Sequence, residues 1–138
     1  MSLVFVVDDD REWLGYYERL LCDYEVGLFR NGVELMERMN EEVPDVLILD
    51  IMLTGPTGFS VLHEMQSYED LGRVPVIVVS GVGIKEDLNE YGVVRVFDKE
   101  EMRPEELLKE TQKQCRPVRL RGDYSTSGME GQDGQRKD

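Results

Sequence analysis

Three consecutive aspartates, Asp8-Asp9-Asp10, follow the apolar run Leu3–Val7. Asp50 follows Val46–Leu49, Ser80-Gly81 follows Val74–Val79, and Asp98-Lys99 closes Val93–Phe97. Carboxylates crowded together repel unless a cation lies between them. An oxygen-only set with open positions suits Mg²⁺, which keeps water ligands and binds phosphate oxygens. A carboxylate can also attack phosphorus and become an aspartyl phosphate. Mg²⁺, an ammonium and a hydroxyl then neutralise and hold the phosphoryl oxygens. Taken singly these residues say little: Asp10 has the place of a helix N-cap, Ser80-Gly81 that of a turn, and Lys99 that of a surface lysine. Four strand ends with complementary chemistry carry the reading jointly.

The apolar runs must be the elements that position these groups. They do not alternate with polar residues, so they suit strands covered on both faces, as in a parallel sheet. Val26–Arg30 is a weaker fifth strand. Helical spacing of apolar residues fills Glu12–Tyr24, Val33–Met39, Gly58–Tyr68 and Pro104–Gln114, with a short, weak pattern at Ile84–Tyr91. Pro104 starts its helix and Glu105-Glu106 occupy the first turn. Strand-helix alternation of this kind predicts an α/β fold with a doubly wound parallel sheet and helices on both faces. In such a sheet ligands bind along the carboxyl edge, where Asp8, Asp9, Asp50, Ser80 and Lys99 would converge.

The chain has 138 residues, enough for one core, and a formal net charge of −13. Residues 1–110 carry 10 basic and 25 acidic residues, residues 111–138 carry 6 and 4. That balance argues against direct nucleic-acid binding and against docking on anionic lipid. No apolar run approaches the roughly 20 residues of a membrane span, and the start lacks the pattern of a secretory signal. Cys22 and Cys115 do not make a disulfide framework and read as thiols in a reducing cytoplasm. From Cys115 the composition changes, so the expectation is a domain over 1–115 and a flexible tail over 116–138.

The segments Val-Phe-Val-Val-Asp8-Asp9-Asp10, Val-Leu-Ile-Leu-Asp50-Ile-Met-Leu-Thr-Gly-Pro-Thr-Gly58, Val-Ile-Val-Val-Ser80-Gly and Phe-Asp-Lys99 together resemble the receiver domain of two-component response regulators. The resemblance runs from about Leu3 to Lys113. It implies a flavodoxin-like, five-stranded parallel sheet of order 2-1-3-4-5. It implies Asp50 as phosphoacceptor, Asp9 as a direct Mg²⁺ ligand, Asp8 acting through water, and the Met52 carbonyl as a further ligand. Ser80 would hydrogen-bond the phosphoryl group and Lys99 would pair with it. The donor would be a sensor histidine kinase or phosphotransfer protein. The output would be altered contact with a downstream protein, with a homodimer as one form. Catalysis would extend only to self-phosphorylation and autodephosphorylation at Asp50.

Departures from the family pattern sharpen the expectations. Val96 stands where an aromatic residue is usual, and Phe97 beside it faces the other way. Glu100 replaces the usual proline after the lysine, so a trans 99–100 bond is expected. The stretch between Ser80 and Gly92 is about one helical turn short, which shortens the fourth helix. Met52 and Val82 occupy positions that set phosphoryl lifetime, and neither accepts a proton from water. His63 reads as a solvent-facing helix residue, and Trp13, Tyr16 and Tyr17 as packing. Two other functions fit parts of the pattern. One is a haloacid-dehalogenase-like phosphohydrolase with Asp8 as nucleophile and Asp10 as acid/base, which leaves Asp50 unexplained. The other is a pseudo-receiver scaffold that is never phosphorylated, which the intact acidic set disfavours.

Overall fold

The structure is a computed structural model and describes residues 1–85 and 87–115. The expected tail, 116–138, lies outside the described residues. Five strands, β1 (Leu3–Val7), β2 (Glu25–Phe29), β3 (Val46–Asp50), β4 (Val76–Ser80) and β5 (Val93–Asp98), form one parallel sheet in the order β2-β1-β3-β4-β5. This is the order that the resemblance to receiver domains implies. β3 and β4 are buried at every position, as unbroken apolar runs require.

Four α-helices are present among the described residues: α1 (Arg11–Leu20), α2 (Gly32–Met39), α3 (Gly58–Met65) and α4 (Pro104–Cys115). On one face of the sheet, Phe5, Val7, Leu47, Leu49, Val76 and Val78 pack with apolar residues of α2 and α3. On the other, Val4, Val6, Ile48, Ile77 and Val79 pack with Leu14, Tyr17 and Leu107 of α1 and α4. Caps set the helix starts: the side chain of Asp10 accepts from the Glu12 N–H, Asn31 from Glu34 and Thr57 from Ser60.

The connection from β4 to β5 departs furthest from expectation. The weak helical pattern at Ile84–Tyr91 yields no α-helix among the described residues, only a 3₁₀ turn at Asn89–Tyr91. Gly81 and Gly83 disfavour helix. The Asp87 carboxylate takes the Asn89 N–H at 3.0 Å, a local turn that competes with helical bonding. Gly92, at φ +79°, stops the chain for β5. Leu88, 5% exposed, closes the core where a helix would otherwise lie. β5 also carries an irregularity: Val76 pairs with Val93 but Ile77 with Arg95, leaving Val94 as the extra residue. The bulge puts Val93 on the α2–α3 face and Phe97 on the α1–α4 face.

No cis peptide occurs among the described residues, in accord with the expected trans bond at 99–100. His63 is exposed on α3, as expected. No helix among the described residues is long and apolar enough to cross a membrane.

Candidate functional site

Register builds the site. Val7 pairs with Leu49, so Asp8 and Asp50 end adjacent strands at the same level. Ser80 pairs with Asp98, which sets Lys99 one residue beyond it on the outer strand. Asp9 begins the turn into α1. One oxygen from each of Asp8, Asp9 and Asp50 lies within 4.8 Å of the other two. Asp8 and Asp50 are buried and Asp9 is exposed, so the cluster opens to solvent on one side.

Lys99 reaches into this cluster. Its Nζ lies 2.8 Å from Asp8 Oδ2 and 3.2 Å from Asp50 Oδ2. The remaining oxygens of the two buried acids are held by backbone: Asp8 Oδ1 accepts from the Asp10 N–H and Asp50 Oδ1 from the Met52 N–H, each at 2.9 Å. Asp8 Oδ2 is buried with no aligned hydrogen bond, so its contact with the ammonium is an ion pair alone. Burial raises the Asp8 carboxyl above its ordinary value and the Asp50 charge adds to this, although Lys99 and the Asp10 N–H pull the other way. Burial alone would lower the Lys99 ammonium, but its close contact with the Asp8 carboxylate and the charges of Asp8 and Asp50 outweigh it and hold Lys99 above its ordinary value. Tyr17, buried beneath the site, is pushed upward by desolvation and then by the charges of Asp8 and Asp50.

Among the described residues, three carboxylates against one ammonium leave an excess of negative charge, and one buried oxygen lacks a directed partner. An oxygen-only donor set of this kind fits a hard divalent cation. Ser80 is 1% exposed, and its Oγ accepts from the Val82 N–H at 3.2 Å. Ser80 and Lys99 are tied through the backbone, the Lys99 N–H donating to the Ser80 carbonyl at 2.8 Å. Asp10 spends its carboxylate on the α1 cap.

Two contributors escaped the sequence reading. Thr54, in the loop after β3, donates its hydroxyl (2.6 Å) and its N–H (3.2 Å) to Asp9 Oδ2. Trp13 packs as expected, but its ring also lies under Lys99 Nζ, 4.8 Å from centroid to nitrogen. The available signal for Trp13 was its place in the first turn of α1, which must begin at the sheet's carboxyl edge. Gly58, at the start of α3, is held against the strand end. A Cβ there would lie 2.6 Å from Ile51 Cα and 2.8 Å from the Asp50 carbonyl oxygen.

A parallel 2-1-3-4-5 sheet with an acidic crevice and a lysine at its carboxyl edge defines a flavodoxin-like domain whose crevice has the donor set for a divalent cation. More narrowly, the chain belongs to the response regulator receiver domain family, whose model matches residues 4–112. Over 86 residues it is 29% identical to the polar-differentiation response regulator DivK of Brucella anthropi, covering 61% of this chain and 70% of DivK. It is 34% identical over 83 residues to the DNA-binding transcriptional regulator NtrC of Escherichia coli, a match of 57% of this chain but 17% of NtrC. Among solved structures, chemotaxis protein CheY4 of Vibrio cholerae is similar at TM-score 0.73 and 25% identity, covering 82% of this chain and 98% of that one. A receiver domain of a Pseudomonas aeruginosa sensor histidine kinase, with a magnesium ion coordinated in its active-site cleft, shares the fold at TM-score 0.73 and 21% identity, over 83% of this chain and 97% of that one. Receiver domains are signalling domains that bind Mg²⁺ at an acidic pocket and interact with histidine kinases and downstream effectors.

Proposed function

We propose that this domain, residues 1–115, accepts a phosphoryl group on Asp50 from a phosphohistidine and signals through changed contacts with a downstream protein. The observation that supports this best is the placement of Lys99 Nζ between Asp8 Oδ2 and Asp50 Oδ2, beside a third carboxylate on Asp9. An oxygen of Asp50 attacks phosphorus, a P–O bond forms, and the P–N bond to the donor imidazole breaks; its electron pair returns to the ring nitrogen, and the donor leaves as neutral imidazole with the proton its other nitrogen already carried. The Met52 N–H holds the other Asp50 oxygen and so limits rotation of the carboxylate. Lys99, already at the carboxylate, pairs with the incoming phosphoryl oxygens, and Ser80 supplies a hydroxyl hydrogen bond. Asp8, Asp9, Asp50 and the Met52 carbonyl would hold Mg²⁺. When bound, that ion offsets charge on the phosphoryl oxygens. The same reading makes the protein cytoplasmic, where its kinase's phosphohistidine would be presented.

The rival hydrolase reading is disfavoured because Asp10, its acid/base, caps α1 and Asp50 is left without a task. The test is incubation with Mg²⁺ and a small phosphodonor, followed by intact-mass measurement of the wild type and Asp50→Asn. One added PO₃ on the wild type alone is expected. Labelling that persists in Asp50→Asn and disappears in Asp8→Asn would overturn the assignment.

A further inference from the structure

Lys99 sits on a flexible four-carbon stem and its side chain is 15% exposed. Attraction to two carboxylates favours the crevice but does not fix the ammonium's orientation within it. A third neighbour is the face of Trp13, 4.8 Å away. That ring is itself held: it packs edge-on to Tyr16 at 5.3 Å and tilted against Tyr17 at 5.7 Å, and Tyr17 is 1% exposed. The bulge in β5 places Phe97 on the α1 side of the sheet, and Lys99, two residues on, continues toward that helix. An ammonium has three N–H donors, and the carboxylates can occupy two. The indole face, negative by its quadrupole, offers the third a seat in place of water.

We propose that Trp13 is a positioning residue whose indole face seats the Lys99 ammonium at the Asp8–Asp50 pair and thereby sets how fast Asp50 takes up a phosphoryl group. The rate clause rests on the phosphoacceptor reading of Asp50; the seat itself does not. Trp13 is the chain's sole tryptophan, so its emission reports this contact directly.

The test compares wild type, Trp13→Phe and Trp13→Leu. Phenylalanine keeps a weaker π-face, whereas leucine keeps apolar bulk without one. The first measurement is the Lys99 ammonium signal in ¹H–¹⁵N NMR of the metal-free protein. The second is the rate of Asp50 labelling by acetyl phosphate with Mg²⁺. Both should follow the order Trp, Phe, Leu. Leucine should slow labelling about fivefold, the equivalent of a cation–π contact of about 1 kcal/mol. Phe and Leu reduced equally would show packing alone and overturn the proposal, as would Leu indistinguishable from wild type. A Lys99 signal that follows the ring series in a protein that never labels on Asp50 would support the seat and sink the phosphoacceptor reading. Should Trp13→Leu fail to fold, Lys99→Met supplies the check: Trp13 emission must change when the cation is removed, and unchanged emission overturns the contact.

Discussion

Replacing Lys99 by methionine keeps the length of the stem and deletes the one cation that, among the described residues, contacts both Asp8 and Asp50. At the observed 2.8 and 3.2 Å the lost attractions are about 6 and about 5 kcal/mol at an effective dielectric constant near 20. That gross figure is not the expected loss, because the ammonium also regains solvation on unfolding. The coupled acids have a further escape: the folded protein can take up a proton. With an ordinary aspartate value of 3.8, holding one carboxyl protonated at pH 7 costs about 4 kcal/mol, and at pH 5 about 2. The destabilisation of Lys99→Met is therefore capped near 4 kcal/mol at pH 7, in line with about 3–5 for breaking a buried pair. A loss of about 3 kcal/mol lowers Tm by roughly 10–15 °C in a domain of this size. The sign of the pH dependence follows from the raised Asp8 carboxyl. The folded state keeps a proton that the unfolded chain releases above 3.8, so stability falls as pH rises from there through the raised folded value. The deficit of the variant must shrink as the solution is acidified. Urea unfolding of both proteins in EDTA at pH 7 and pH 5 tests this. An equal deficit at both values, or none at pH 7, refutes the coupled-acid account. Added Mg²⁺ should restore much of the loss at pH 7 by replacing the missing charge.

Asp50→Asn should raise the metal-free Tm by a few degrees. It gives up the 3.2 Å ion pair, but it removes a 4%-exposed charge from beside Asp8 and Asp9 and keeps an acceptor for the Met52 N–H. Mg²⁺ should narrow the gap by binding the native state of the wild type, and an unchanged or lower metal-free Tm would contradict this. Gly58→Ala should destabilise by about 1–3 kcal/mol and shift the Asp50 resonances, since its Cβ meets backbone at Ile51 and Asp50; a silent substitution would show that the loop gives way. Self-dephosphorylation should be slow, because Met52 and Val82, both exposed at the site's mouth, cannot take a proton from water. A lifetime of seconds, followed by loss of the phosphorylated mass, would contradict that reading.

What was legible in the sequence is what strand register alone determines. A parallel strand's last residue has one place to go, so Asp8, Asp50, Ser80 and Lys99 could be set on one edge from apolar runs and their terminators. β2 lies one residue before the expected Val26–Arg30, because Glu25 pairs with Leu3 while the exposed Arg30 already leaves the sheet. Trp13 and Thr54 were not legible as site residues for a different reason. Their contacts to Lys99 and Asp9 span 86 and 45 residues, and depend on how a helix and a loop settle rather than on period. The pattern at 84–91 misled because hydrophobic spacing does not register the competition from Asp87 and the glycines. Leu88 satisfies the core from a turn as well as it would from a helix.

If Asp50 is the phosphoacceptor, that same connection bears on where its signal can travel. Val96, 45% exposed, sits on β5 beside an open groove of about 300 Å³ lined in part by Ile84, Leu88 and Val94. A branched aliphatic side chain there has no ring to turn inward. Ser80, by contrast, is joined to its surroundings by two short backbone links: Val82 N–H to Ser80 Oγ at 3.2 Å, and Lys99 N–H to the Ser80 carbonyl at 2.8 Å. A hydroxyl that shifts toward a phosphoryl oxygen must strain the first, and a Lys99 that shifts with it must strain the second. Addition of beryllofluoride and Mg²⁺ should therefore move the amide resonances of Val82 and Lys99 most, with smaller changes at Val94–Val96. If the largest changes lie in the middle of β5 instead, the signal runs through the strand and not through the Ser80 links.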